Sequence, residues 1–191
     1  MDFRISSMNK AEILRYMRTN SKTTDENILS LVDRAMTVTE ENSAPKTLYR
    51  IFDCHVTEDS LVVGDYVFSS KRLAANLKGC ERVVMFGATL GTAIDRLIRV
   101  YSSTDTAMAI ALQAASASKI EEVCDSLEEQ IIHTHGVSLR QRYSPGYFDL
   151  DISEQKKFFT ILELTKRIGL TLTDTCEMIP SKSVTAFIGI D

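Results

Sequence analysis

With 191 residues, 44% hydrophobic and 25% charged, the chain has the length and composition of one ordinary globular domain with room for a substantial core. A formal net charge of −4 and a pI near 5.5 exclude the basic surface that nucleic acid demands, and no charge run supplies one locally. Met1-Asp2-Phe3-Arg4 opens no signal peptide and no apolar run reaches bilayer length, so a cytoplasmic location without membrane contact is expected.

Residues 1–43 read as two helices that form an N-terminal cover over residues 44–191, the whole making a single domain. Asn9-x-x-Glu12 is a capping box ahead of Ile13, Leu14 and Met17. Thr24 is expected to cap the second helix, with Asp25 and Glu26 in its first turn and Ile28, Leu31, Val32 and Met36 on one face; Ala44-Pro45 ends it. From Thr47 to Val67 the apolar period changes to two, which predicts an antiparallel meander of three strands. His55 follows Cys54 in the first of them, and neighbours in a strand point to opposite faces, so the two do not chelate a metal together. A short helix over 71–78 and a strand over 82–86 lead to Gly87-Ala88-Thr89-Leu90-Gly91 and a helix from Thr92 to about Tyr101. Strand, glycine turn and helix can aim backbone N–H groups at a phosphate or carboxylate. Two glycines without the lysine of a phosphate loop serve equally as a tight joint.

The longest element is a helix from Asp105 to about Thr134, roughly 45 Å at 1.5 Å per residue. Ile110, Ala114, Ala117, Ile120, Cys124, Leu127 and Ile131 follow the spacing of a core face. Ala111, Ala115, Ser118 and Glu122 form a second row, small residues ending in a carboxylate, where a backbone or a flat ligand could lie close. The plain alternative is that Glu122 is a solvated partner of Lys119. His133-Thr134-His135-Gly136 closes the helix as ordinary C-terminal capping, with no third ligand for a metal. Cys54, Cys80, Cys124 and Cys176 stand singly, without metal-ligand spacing; three have apolar neighbours and read as buried thiols, and Cys80, beside Glu81-Arg82, is expected to be more exposed.

A strand over 137–141 then leads into Arg142-Tyr143-Ser144-Pro145-Gly146-Tyr147, followed by Phe148-Asp149-Leu150-Asp151 and a helix from about Ile152. Arg142 offers a planar fork for a carboxylate, Pro145 and Gly146 stiffen a turn, and Tyr143 and Tyr147 offer ring faces and hydroxyls. A type II turn flanked by core tyrosines and a surface arginine satisfies the same pattern. Asp151-x-x-Glu154 is another capping box, whereas Asp149 has no evident local role. The remaining chain supplies a helix over 152–164 and two or three short strands, giving an α+β fold with a mostly antiparallel sheet and packed helices.

Arg142-x-x-x-Gly146-Tyr147 resembles the Arg-x-x-x-Gly-Tyr motif of the activation (reactivation) domain of cobalamin (vitamin B12)-dependent methionine synthase. The likeness continues through Ile168-Gly169-Leu170-Thr171-Leu172-Thr173, Met178-Ile179-Pro180 and Ser183-Val184; it is strongest over 137–188 and looser over 80–136. It implies a fold like that of the activation domain and a module, rather than a complete enzyme, for methionine biosynthesis. Such a module binds S-adenosylmethionine as methyl donor and supports the reductive methylation of cob(II)alamin held by a partner. The implied partners are a cobalamin-binding methionine synthase module or corrinoid protein and a flavodoxin-type electron donor. Carried over, the motif assigns the ligand's carboxylate to Arg142, its nucleoside to the backbone of Ser144, Pro145 and Gly146, ring packing to Tyr147, and a ribose hydroxyl or the ammonium group to Glu122; it also makes the 87–91 turn a wall of the same pocket.

The chain departs from that family in three respects. It carries no homocysteine-, folate- or cobalamin-binding module and none of the family's C-terminal extension, and Phe187-Ile188 stands where the full-length enzymes have Trp-Tyr. Two other functions therefore remain open: a non-catalytic module for another adenosyl or nucleotide-like metabolite, and an interaction subunit with a vestigial pocket.

Overall fold

The structure, a computed structural model, describes residues 8–191 and shows an α+β fold; the first residues of the predicted N-terminal cover, 1–7, lie outside the described residues. The chain divides into two compact units. The first comprises the described residues up to Lys46, Thr89–Ser126 and Pro180–Lys182; the second comprises Thr47–Ala88, Leu127–Ile179 and Ser183–Asp191.

The first unit is helical. Helix α1 (Lys10–Tyr16) starts where the Asn9 side chain accepts hydrogen bonds from the amides of Ala11 and Glu12, and it buries Ile13 and Leu14. Only half of the expected capping box forms: Glu12 turns to Arg15 and to the hydroxyl of Ser118. Helix α2 (Glu26–Asn42) is capped by Asp25, one residue later than expected, because the aspartate carboxylate reaches the amides of Asn27 and Ile28. Its buried line is Val32, Ala35 and Thr39. Helix α4 (Thr92–Thr104) presents Ile94 and Ile98 to the interior. Helix α5 (Thr106–His135) is capped by Asp105, whose carboxylate accepts from the amide of Met108. The row of small residues on α5 is as buried as its apolar stripe: Ala111, Ala115 and Ser118 are covered, whereas Ile110 at the head of the predicted stripe is exposed. Small side chains let neighbouring backbone approach, so protein fills the space that the sequence left open for a ligand.

The second unit carries the sheets. Strands β2 (His55–Val56), β3 (Ser60–Val63) and β4 (Tyr66–Ser69) form an antiparallel meander whose second and third strands are the expected ones, with Leu61 opposite Phe68 and Val62 opposite Val67. The first predicted strand does not join it. Strand β1 (Lys46–Asp53) instead lies beside β5 (Arg82–Thr89), which lies beside β8 (Ser183–Ile190). Strands β6 (Thr171–Leu172) and β7 (Met178–Ile179) make a small antiparallel ribbon. Helix α3 (Lys71–Asn76) follows the meander. After a short 3-10 turn over Ile152–Glu154, the predicted helix over 152–164 splits into α6 (Gln155–Leu162) and α7 (Leu164–Ile168) at Glu163, whose φ of 53° is left-handed. The core joins Leu61, Phe68, Leu73, Met85, Leu162 and Phe187. Within it Phe187 packs at 4.8 Å from Phe68 and 4.5 Å from Phe158, centroid to centroid. Cys80, expected to be exposed, is buried in this unit, while Cys54 is half-buried. Among the described residues no helix is long and apolar enough to cross a membrane, and no cluster of His, Cys, Asp and Glu could hold a metal ion.

Candidate ligand-binding loop

The predicted strand before the loop is reduced to two isolated antiparallel bridges, Leu139 to Ile190 and Tyr143 to Phe187. Four backbone hydrogen bonds still tie it to β8 and the residue after it: Arg140 N to Gly189 O, Tyr143 N to Phe187 O, Phe187 N to Tyr143 O, and Asp191 N to Ser138 O. Arg140 adds side-chain bonds to the carbonyls of Asn76 and Lys78 and to Asp191. The approach to Arg142 is therefore fixed along its length.

Pro145 and Gly146 then turn the chain, with the amide of Tyr147 3.3 Å from the carbonyl of Ser144 and Gly146 at φ 89°. Positive φ at the third residue of such a turn is the reason for a glycine. A second reason is packing, because a Cβ on Gly146 would lie 2.9 Å from Ile152 Cδ1. The loop closes on itself through Gly146 N to Leu150 O at 2.8 Å. Pro145 is buried, whereas Tyr147 and Phe148 are 62% and 76% exposed. Phe148 holds φ 52°, an uncommon region for a bulky residue, and its ring lies 4.7 Å from the Arg72 guanidinium carbon.

Asp149, unexplained in the sequence, anchors this bend. Its carboxylate accepts from the Ser70 hydroxyl at 2.6 Å and from the amides of Lys71 and Arg72 at 2.8 and 3.3 Å. Ser70 caps α3 by accepting from the amide of Leu73. Two side chains from distant parts of the sequence thus share one helix start. The Ser70 hydroxyl, followed by the two backbone amides, holds the Asp149 carboxyl below the usual carboxylate range. The Tyr143 hydroxyl lies 3.4 Å from the carbonyl of Tyr147, and burial pushes it up from the ordinary phenol value.

Arg142 has lost most of its contact with solvent. Its side chain is 23% exposed, and Nη1 donates to Oε1 of Glu128, itself 22% exposed, at 2.5 Å. Glu128 lies on α5, and its distance of fourteen positions from Arg142 leaves no local pattern by which the sequence could have paired them.

Arg142, Ser144, Pro145, Gly146 and Tyr147 all belong to the second unit; Glu122 belongs to the first. The Glu122 side chain is 9% exposed and neither of its oxygens has a hydrogen-bond partner among the described residues. It lies 3.5 Å from Lys119, which is 2% exposed and sits closer, at 2.7 Å, to Glu40. Burial pushes the Glu122 carboxyl up and Lys119 opposes this. The solvated surface pair is therefore not what forms.

The glycine turn also differs from expectation. Strand β5 continues through Gly87, Ala88 and Thr89, leaving Leu90-Gly91 as the joint to α4. A Cβ on Gly87 would lie 2.7 Å from Leu164 Cδ2, so this glycine makes room for a leucine. In the first turn of α4 the Asp95 carboxylate accepts from the amide and hydroxyl of Ser181, which puts a negative group near this helix start. Phe187 and Ile188, the departure from the family pattern, are both buried.

These features can be set beside known proteins. No curated protein matches the chain. Among solved structures, the crystal structure of the MetH reactivation domain bound to AdoHcy superposes with a TM-score of 0.67 at 16% identity, covering 92% of this chain and 68% of that one. At that identity the likeness speaks for the fold, which is that of the methionine synthase activation domain. A family model described as vitamin B12 dependent methionine synthase, activation domain, matches residues 6–190. The match takes in nearly the whole chain, and the protein therefore belongs to the vitamin B12-dependent methionine synthase activation-domain family.

Proposed function

We propose that this chain is an S-adenosylmethionine-binding reactivation module, a component of a cobalamin-dependent methyltransferase that presents the methyl donor to cobalamin on a separate corrinoid protein or methionine synthase module. The observation that carries this reading is the loop from Arg142 to Tyr147, fixed to β8 on one side and through Asp149 to α3 on the other, with Arg142 partly buried at its start and the exposed Tyr147 at its end. Fixing such a loop before binding lowers the entropy lost when a ligand docks. The AdoHcy bound by the similar MetH reactivation domain is what S-adenosylmethionine becomes once its methyl group has left.

The donor set suits this ligand. Arg142 matches a carboxylate, and the exposed Tyr147 ring can cover an apolar or cationic part. At Gly146 the side chain of Ile152 lies where a Cβ would be and must turn aside for a nucleoside to approach from that side. When bound, S-adenosylmethionine supplies the methyl group, and the partner's cobalt accepts it with an electron from a flavodoxin-type donor. The chain itself needs no nucleophile or proton-transfer group for this. Its work is to hold the sulfonium in line, the kind of positioning that can supply several kcal/mol, about 7–11 in well-oriented systems.

One observation favours the rival of an interaction subunit with a vestigial pocket, namely that a carboxylate of the chain, Glu128, already meets Arg142. Thermal unfolding separates the two readings. A ligand at 100 times its dissociation constant adds about 2.7 kcal/mol of stability. A rise in Tm with S-adenosylmethionine that disappears in Arg142→Ala supports the module, a rise with other adenosyl compounds alone transfers the pocket to another metabolite, and none with any of them leaves the interaction subunit. Faster methylation of a reduced corrinoid protein in the presence of the chain is the functional counterpart.

A further inference from the structure

We infer that Glu128 is a built-in competitor for the guanidinium of Arg142, a carboxylate that occupies part of the anion site until a ligand's own carboxylate displaces it. The inference rests on the adenosylmethionine reading and adds to it a residue outside the Arg-x-x-x-Gly-Tyr motif that sets the affinity for the carboxylate end of the ligand.

Glu128 Oε1 receives a hydrogen bond from Arg142 Nη1 at 2.5 Å, the atom and distance at which one oxygen of a bound carboxylate would sit. Both side chains are about three-quarters buried, so a second carboxylate brought to that edge would face Glu128 in a poorly hydrated space, where like charges repel strongly. The ligand therefore binds that edge only after Glu128 has swung away. The swing is open to it, because Glu128 sits near the C-terminal end of α5 with part of its side chain in solvent and no other hydrogen bond among the described residues. Arg142 is in turn held in its binding position while the site is empty. A buried ion pair broken on one side is costly, and here the incoming carboxylate replaces the one that leaves, so the guanidinium stays paired throughout.

The test uses the purified full chain, titrated calorimetrically with S-adenosylmethionine and with decarboxylated S-adenosylmethionine, which keeps the sulfonium, ammonium and adenosine but lacks the carboxylate. In Glu128→Gln the competitor's charge is gone. S-adenosylmethionine is expected to bind on the order of fivefold tighter, the factor that one small interaction is worth, and decarboxylated S-adenosylmethionine with unchanged or lower affinity. Glu128→Ser, which admits water to the guanidinium, is expected to behave alike and serves if the glutamine variant unfolds. Unchanged or weaker binding of S-adenosylmethionine in a folded variant, with the unaltered chain binding it, overturns the competitor role and leaves the adenosylmethionine reading standing. Equal gains for both ligands also overturn it, since a general loosening of the loop would give that result. Absence of binding to the unaltered chain and both variants overturns the adenosylmethionine reading and the inference with it.

Discussion

Glu122→Gln tests whether the carboxylate on α5 is a stabilising partner of Lys119 or a group retained at a cost. Neither oxygen of Glu122 is hydrogen-bonded among the described residues, its side chain is 9% exposed, and Lys119 at 3.5 Å is already held at 2.7 Å by Glu40. Burial raises the Glu122 carboxyl more than Lys119 lowers it. An acid whose folded-state pKa is raised contributes its full share of stability below the unfolded value, near 4.3, and loses it as pH rises through the folded value. At pH 7 the ionised group is therefore a net cost. Glutamine keeps the shape and removes the charge, and Lys119 keeps Glu40, so no buried cation is orphaned. Removing an unsatisfied buried charge should gain about 1 kcal/mol, or roughly 2–4 °C in Tm for a chain of this length. Differential scanning calorimetry at pH 7 and pH 4 reads this directly, with the gain expected at pH 7 and a closing gap at pH 4. A lower Tm at pH 7, or an equal gain at both pH values, would refute the reasoning. If Glu122 also serves the ligand, the stabilised variant loses affinity, which is the trade-off expected of a binding residue.

Three further outcomes follow from the geometry. Gly87→Ala places a Cβ 2.7 Å from a methyl of the fully buried Leu164 and should cost about 1–3 kcal/mol in urea unfolding; a neutral result would mean that α7 shifts freely. Asp149→Asn removes a carboxylate whose pKa is lowered first by Ser70, so the stability it lends is present above its unfolded value near 3.9 and lost as pH falls through the lower folded value. The variant should be less stable at pH 7 and show a shallower acid loss between pH 4 and 2, and an unchanged acid limb counts against the anchor. Burial first, then Cys80 and Asp53, push the Cys54 thiol up to about 11, so alkylation by iodoacetamide at pH 8 should run on the order of a hundredfold slower than for a free thiol; labelling at the free rate contradicts that environment.

Local signals located most of the elements. The cap Asn9, the hairpin of β3 and β4 and the long helix α5 come from hydrogen-bond chemistry and periodicity that act within a few residues. What escaped is decided by packing between distant segments. Alternation in β1 shows a strand but not its neighbour, and β1 joins β5 while the strands just after it pair among themselves. Gly87 reads as a turn because glycine favours turns, yet its cause is Leu164, seventy-seven positions away. The left-handed Glu163 breaks a helix whose composition gives no warning, since neither glycine nor proline marks the place.

The loop shows the same division in sharper form. Pro145-Gly146 announces a turn from sequence alone, and the turn is there with Gly146 at φ 89°. Its chemistry depends on two carboxylates that no spacing rule would select: Asp149, which joins Ser70 at the start of α3, and Glu128, which meets Arg142 from α5. The first fixes the bend and the second holds the cation, so the loop is built before any ligand arrives. Both carboxylates lie outside the six-residue motif, so the motif specifies the bend while the groups that hold it in place come from α5 and from just beyond the turn. Membership of the family follows from the match over residues 6–190, and the Arg142–Glu128 contact is a feature of this chain that lies beyond the motif.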